Sequence, residues 1–310
     1  MDSLNRMAIE LVDEAIDFAD ELQIDVHELS NGATVLDFGV TSNGGIETGL
    51  FLAEIQTAGL ATVQTDMKTL GDSPLTHVEI QTDHPVLALL GSQKAGWELS
   101  IEGFEALGSG PARAMIGEEQ VFATLDYTED FDLTVLVLET EILPSESVAS
   151  HIANRVNVDP SSVFLPAFST ASITGSVNMA SRAAELAVFR LQELGYPIED
   201  IRSVSGSAPV APVPDTEETA LARTIDAIAY GSQVHLIVDT DHESLSKLPS
   251  SASTEYGEPF DDIFAEADWD FYDIPESVFA PAQVTIDVIG GTTYTLGNLD
   301  PEILMESFRL

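Results

Sequence analysis

Arg182 and Glu185 stand three residues apart at the head of the run NMASRAAELAVFRLQELG (residues 178–195), so on a helix they share one face. On a buried face this pair makes a general base. The guanidinium keeps the carboxylate ionised, while burial raises its proton affinity toward a useful value. On a solvent face the same spacing is an ordinary i, i+3 salt bridge. The acid-free, apolar residues before the pair favour the buried case. Glu139, which ends the apolar run LTVLVL, is the second carboxylate candidate, since a strand end either faces a cleft or simply meets solvent.

Four stretches contain no Asp or Glu: residues 84–97, 106–116, 163–184 and 203–214. All are rich in Gly, Ser, Ala or Pro, and three carry a basic residue, Lys94, Arg113 or Arg182. Small residues let backbone N–H groups approach an anionic ligand, and the bases neutralise it. Burial or turn formation would also leave such gaps, but scarce bases set inside glycine-rich, acid-free segments favour a pocket for an anionic ligand. GSQKAGW (residues 91–97) lacks the G-K-[ST] ending of a phosphate-binding loop, and ALGSGPARAM lacks the third glycine of a dinucleotide fingerprint. There is no G-x-S-x-G elbow, and Ser244–Lys247 matches S-x-x-K only in a polar, helix-like segment. The six histidines show no metal-ligand spacing; His84, at the start of an acid-free stretch, is the one best placed for a role. With no cysteine, thiolate nucleophiles, disulfides and cysteine-held metals are excluded.

The elements that must position these residues follow from periodicity. Leu4, Ala8, Leu11, Ala15, Phe18 and Leu22 predict an amphipathic first helix. Asn31-Gly32 between IDVHEL and ATVLDFGV predicts a hairpin, and Gly290-Gly291 before TTYTL a second. ATVQTDM, THVEIQT, LTVLVLET, SQVHLIVD and AQVTIDVI read as strands. PSESVASHIANRV, the run 178–195 and DTEETALARTIDAIAYG read as helices, the last with Asp215 and Glu218 in capping-box spacing and Gly231 just past its end. Strands and helices mix without a strict βαβ rhythm, so the expected class is α+β or mixed α/β.

At 310 residues the chain is long enough for one large domain or two ordinary ones. Its 53 acidic against 11 basic residues leave a formal net charge of -42, yet 44% of residues are hydrophobic, enough to build a core. Nucleic acid and anionic membrane are excluded as partners by that charge. Only Lys68, Lys94 and Lys247 are lysines, a composition suited to molar salt, where the screening length falls to about 3 Å. The amino-terminal segment has no basic leader pattern and no apolar run reaches the ~18 residues of a membrane span, so a soluble, cytoplasmic protein is expected.

At the acid-free segments the chain resembles a known family, the archaeal methenyltetrahydromethanopterin cyclohydrolases. DHPVLALLGSQKAGW (83–97), GSGPARA (108–114), TASITGSVNMASRAAE (170–185), YGSQVHL (230–236), YGEPFDDIF (256–264) and FAPAQV (279–284) carry the likeness, in the family's order. GSQKAGW and GSGPAR together are its most specific part. The resemblance implies a single cyclohydrolase unit over residues 1–310, with two interlocked lobes and the active-site pocket between them. It implies a homotrimer, with neither metal nor cofactor, that interconverts the 5,10-methenyl and 5-formyl forms of a reduced pterin carrier. The family's Arg-x-x-Glu falls on Arg182 and Glu185 and its GSQK lysine on Lys94. Glu185 is then the base that takes a proton from attacking water, Arg182 holds and tunes it, and Lys94 positions the pterin or handles the carrier oxygen. Ser92, Gln93, Gly108, Ser109, Arg113, Ser176 and Asn178 are the expected substrate-binding residues. Asn178 stands where many relatives have Gln, one methylene longer, and Leu89, Leu90 and Ala208 stand where Cys is frequent. Tetrahydrofolate is the alternative carrier, and a pterin-binding protein without catalysis the alternative class.

Overall fold

In a computed structural model of the chain, which describes residues 2–266 and 276–310, the residues gather into two compact units. One comprises Met1–Thr62 with Leu87–Asn178, the other Val63–Val86 with Met179–Leu310. Each unit is thus assembled from two separate stretches. The chain passes between them inside regular elements, so no Pro- or Gly-rich linker marks the boundary in the sequence.

The first unit holds strands β1 (Asp25–Glu28), β2 (Thr34–Asp37), β5 (Trp97–Ile101), β6 (Phe104–Ser109), β7 (Thr134–Val135), β8 (Val137–Glu139) and β9 (Val163–Phe168). They form a mixed sheet in the order β1-β2-β9-β8-β6-β5, with β7 also paired to β9. The predicted hairpin is present: β1 and β2 pair antiparallel, Glu28 opposite Thr34. β2, β9 and β8 run parallel at the centre. Their neighbour-free runs of Val and Leu suit strands covered on both faces. LTVLVLET is interrupted at Leu136, whose amide still bonds to the Phe164 carbonyl at 3.1 Å. Helices α1 (Leu4–Asp17), α2 (Ala19–Leu22), α3 (Ile46–Gln56), α4 (Ala112–Ile116), α5 (Gln120–Thr124), α6 (Glu146–Val156) and α7 (Ile173–Ala180) accompany this sheet. The first helix stops short of its predicted end, because the chain breaks at Phe18 and leaves that ring exposed. Val148, Ala149, Ile152, Ala153 and Val156 of α6 build one core with Val35, Leu136, Leu138 and Leu165.

The second unit holds β3 (Thr62–Leu70), β4 (Ser73–Thr82), β10 (Ile201–Pro209), β11 (Gln233–Val238), β12 (Gln283–Val288) and β13 (Thr293–Gly297), in the order β13-β12-β11-β10-β4-β3. In β11, Val234, Leu236 and Val238 are buried while Gln233 and His235 are exposed, the alternation of a sheet packed on one face. Helices α8 (Ala183–Glu193), α9 (Glu217–Gly231), α10 (Phe260–Glu266) and α11 (Pro301–Phe308) complete it, with Ala227 and Tyr230 of α9 packed on Leu304 and Phe308 of α11. Two helix ends differ from their predicted form. Thr216, not Asp215, caps α9, its hydroxyl accepting from the Thr219 amide at 3.3 Å, and Gly231 is the last helical residue rather than the one beyond it.

Candidate active site

The largest departure from the predicted elements lies in the first acid-free stretch. Val86–Gln93 is a π-helix, closed at its end by the Lys94 amide bonding back five residues to the Leu89 carbonyl at 2.7 Å. Such wide helices are rare and concentrate at functional sites. No periodicity announced it, because its apolar residues are buried all round. Ser92 and Gln93 end it fully buried, and Lys94 follows half-buried.

GSQKAGW and GSGPAR interlock in space. The Gly110 amide donates to the Ser92 carbonyl at 2.7 Å. Arg113, buried on α4, reaches back under the loop. Its Nη1 donates to the carbonyls of Ser92 (3.0 Å) and Lys94 (2.5 Å), and its Nη2 to that of Leu90 (2.9 Å). Nε and Nη2 also grip the Glu119 carboxylate at 2.8 and 2.6 Å. All five N–H donors of the guanidinium are therefore spent within the protein. Arg113 thereby shapes the loop that carries Lys94. Gly96 makes that possible, since a Cβ there would lie 2.5 Å from the Arg113 Nε. Gly108 departs from its expected loop. It is a β6 residue paired with Trp97 and Leu138, its α-carbon pressed between the Trp97 and Leu136 side chains, so its backbone serves the sheet.

Ser92, Ser109 and Asn178 meet at a residue the sequence reading did not single out. Gln56, the last residue of α3, is fully buried. Its carbonyl accepts from the Ser92 hydroxyl (2.5 Å), its Nε2 donates to Ser109 Oγ (2.9 Å), and its Oε1 accepts from Asn178 Nδ2 (2.7 Å). The Asn178 side chain thus serves an internal amide pair. Ser176 is buried on the same helix, α7. The one signal for Gln56 was a neutral amide in the largely apolar stretch LFLAEIQTAGL, beside Glu54 and Thr57.

At the carboxyl ends of the parallel strands lie two carboxylates. Glu139 accepts a hydrogen bond from the Thr170 hydroxyl. Asp37 is fully buried and gathers the following loop: the amides of Gly39 (3.0 Å), Val40 (2.7 Å), Thr41 (3.0 Å) and Ser42 (3.0 Å), and the Thr41 hydroxyl (2.5 Å), all donate to it. Burial pushes its proton affinity up, but the Thr41 hydroxyl and the Gly39, Val40 and Thr41 amides outweigh burial and hold the carboxyl below its ordinary value. His84 is exposed ahead of the π-helix, its amide donating to the Thr82 hydroxyl at 3.0 Å.

In the second unit, Arg182 and Glu185 form a nearly buried ion pair, Nη1 to Oε2 at 3.5 Å. The helix predicted over 178–195 is in fact two: α7 ends at Ala180, and Arg182 occupies the N-cap of α8. Glu185 therefore sits in the first turn, where the positive end of the helix favours a carboxylate. Gly206 of β10 lets that turn lie flat on the sheet, since a Cβ there would be 2.8 Å from the Ala184 amide nitrogen. Among the described residues, no group of three His, Asp or Glu side chains is gathered to hold a metal ion, and no helix is long and apolar enough to cross a membrane.

Comparison with known proteins agrees with the sequence resemblance. The family model described as cyclohydrolase (MCH) matches residues 3–308. Proteins called methenyltetrahydromethanopterin cyclohydrolase from two strains of Halobacterium salinarum are 52% identical over 310 residues, covering 100% of this chain and of theirs. One of the same name from Methanoculleus marisnigri is 39% identical, covering 99% of this chain and 98% of its own.

Proposed function

Because the chain belongs to the cyclohydrolase (MCH) family, we propose that it hydrolyses the 5,10-methenyl bridge of tetrahydromethanopterin to the 5-formyl form, and that Glu185 carries the proton transfers. The observation behind the assignment of Glu185 is its pairing with Arg182 at the head of α8, nearly out of solvent. Burial favours the protonated carboxyl and the guanidinium the carboxylate, so the pair can pass a proton in either direction.

The methenyl bridge is an amidinium cation, already electrophilic, and asks for an oriented water and a base. Water oxygen bonds to the bridge carbon as Glu185 takes one of its protons, leaving a neutral hydroxyl-bearing carbon between the two nitrogens. The carbon–N10 bond then breaks, N10 receives a proton, and the hydroxyl becomes the formyl carbonyl. One proton is released overall, which balances the positive charge lost from the substrate. Arg182 orients Glu185. Lys94, presented by the loop that Arg113 clamps, lies against the carrier oxygen. Ser92, Gln93, Ser109, Ser176 and Asn178 form the polar support of that loop and of α7. The reaction runs in the cytoplasm, on a homotrimer, with no metal or other cofactor.

The test is loss of methenyl absorbance on adding protein in molar KCl, with methenyl-tetrahydromethanopterin and methenyl-tetrahydrofolate side by side. Rapid decay of the methanopterin substrate is expected, with Glu185→Gln slower by about 10²–10⁴-fold, the range that positioned acid–base groups supply. A folded Glu185→Gln protein with near-full activity would falsify the role of Glu185. Faster decay of the folate would reassign the carrier.

A further inference from the structure

We propose that Gln56 is a positioning residue of the active site, acting through the Lys94 loop and α7. It contacts Ser92, Ser109 and Asn178, which lie 36, 53 and 122 residues away along the chain. These three belong to the three segments that carry the family likeness most strongly, and Gln56 belongs to none of them. One buried amide therefore fixes the register of GSQK, of GSGPAR and of α7 against α3. The inference rests on the reading of the Lys94 loop as part of the active site.

The chemistry of the position calls for an amide. Ser109 Oγ accepts from Nε2 and Asn178 Nδ2 donates to Oε1, so the residue must donate at one end of a planar group and accept at the other. A thioether of similar length would leave both partners facing a non-polar group inside the protein. An ionised carboxylate would offer no donor. A protonated carboxyl could do both. The Ser92 bond runs to the backbone carbonyl and survives any side-chain change, so Ser92 stays tethered while the other two segments are released. The Lys94 loop would then keep its fold but lose its fixed position relative to α7.

Gln56→Met and Gln56→Glu test this in molar KCl, with folding followed by circular dichroism at each pH. Gln56→Met is expected to lose about 100-fold in kcat, the scale of an ångström's misplacement, with KM within about threefold. Gln56→Glu is expected to regain kcat toward the wild-type level as the pH is lowered and its carboxyl protonates, a trend the wild type does not share. A Gln56→Met protein with kcat within twofold of wild type, changed only in thermal midpoint, overturns the proposal. A loss seen only in KM overturns it too. Should Gln56→Met fail to fold, the Gln56→Glu profile decides, and one parallel to the wild type overturns the idea. Lys94→Met, measured alongside, separates the two layers. If it loses activity while Gln56→Met keeps it, positioning by Gln56 is wrong. If it stays fully active, the site reading beneath the proposal is wrong.

Discussion

Asp37 in the first unit and Asp226 in the second are both fully buried, and the structure pushes them in opposite directions. Asp37 is wrapped by four amides and a hydroxyl and is held below its ordinary proton affinity. Among the described residues, Asp226, on α9, accepts only from the Phe260 amide (2.9 Å) and the Ser307 hydroxyl (2.6 Å). Burial dominates there, those two bonds offset it only in part, and Asp261 and Asp262 add repulsion, so its pKa is pushed up to about 7. Burial costs both carboxylates alike; the number of donors decides which form survives. A carboxyl wrapped like Asp37 cannot act as a base, whereas one buried with few donors keeps its proton near neutrality. Glu185 is a third arrangement, a nearly buried carboxyl paired with a guanidinium at 3.5 Å.

The comparison breaks most visibly at Asp37. In Asp37→Asn, one oxygen becomes an NH₂ that faces the amides of Thr41 and Ser42, leaving two donors unmet. At about 2 kcal/mol for each, a loss of about 4 kcal/mol is expected, read from denaturant unfolding at fixed molar KCl. A loss under about 1 kcal/mol would mean the loop satisfies itself without the charge. Because the native carboxyl is held low, its contribution is present above about pH 4 and fades as the pH falls further.

Asp226→Asn is the mirror experiment, with a smaller effect of opposite sign. The folded protein keeps the Asp226 proton to about pH 7, and the unfolded chain releases it near 3.8. Between those values the native state binds more protons, so stability falls as pH rises through the window and levels off above it. Asparagine imitates the protonated form: its oxygen can accept from Phe260, and the Ser307 hydroxyl can turn to accept from its NH₂. The variant should gain on the order of 3 kcal/mol at pH 8 and about half of that at pH 5, seen as thermal midpoints across that range. Equal midpoints at pH 8 would show that Asp226 pays no charge cost.

These two carboxylates also show how far the sequence was legible. Periodicity found most strands and the major helices, because each exposes one face and buries another. It missed the π-helix, which is apolar all round, and it joined α7 to α8, because the break at Ser181 and Arg182 carries neither Gly nor Pro. The acid-free stretches proved to be buried segments: β6 with α4, β9 with α7, the strand β10, and the π-helix. Their basic residues then diverged. Both arginines meet a carboxylate, Arg182 at 3.5 Å and Arg113 at 2.6 Å, but Arg113 also binds three carbonyls of the neighbouring loop. Sequence marks where acids are absent, but whether a base faces inward to protein or outward to ligand depends on long-range carbonyl and carboxylate partners. Gln56 and Asp226 were invisible for the same reason: each acts through residues brought near only by the fold.

Ser307→Ala sharpens the comparison with the smallest change. The Ser307 hydroxyl is one of two donors to Asp226 among the described residues, and it stabilises the carboxylate more than the neutral carboxyl. Its removal leaves the Phe260 amide as the one remaining donor among the described residues and should drive the Asp226 proton affinity higher still. Stability near pH 5 should drop by about 1 kcal/mol, the worth of one ordinary hydrogen bond, and by somewhat more near pH 8, where the lost bond was to a charge. The fall of stability with pH should therefore continue further toward the alkaline side than in the native protein. If Ser307→Ala instead leaves the pH window unmoved, donor number is not what separates Asp226 from Asp37, and burial with the repulsion from Asp261 and Asp262 sets its proton affinity.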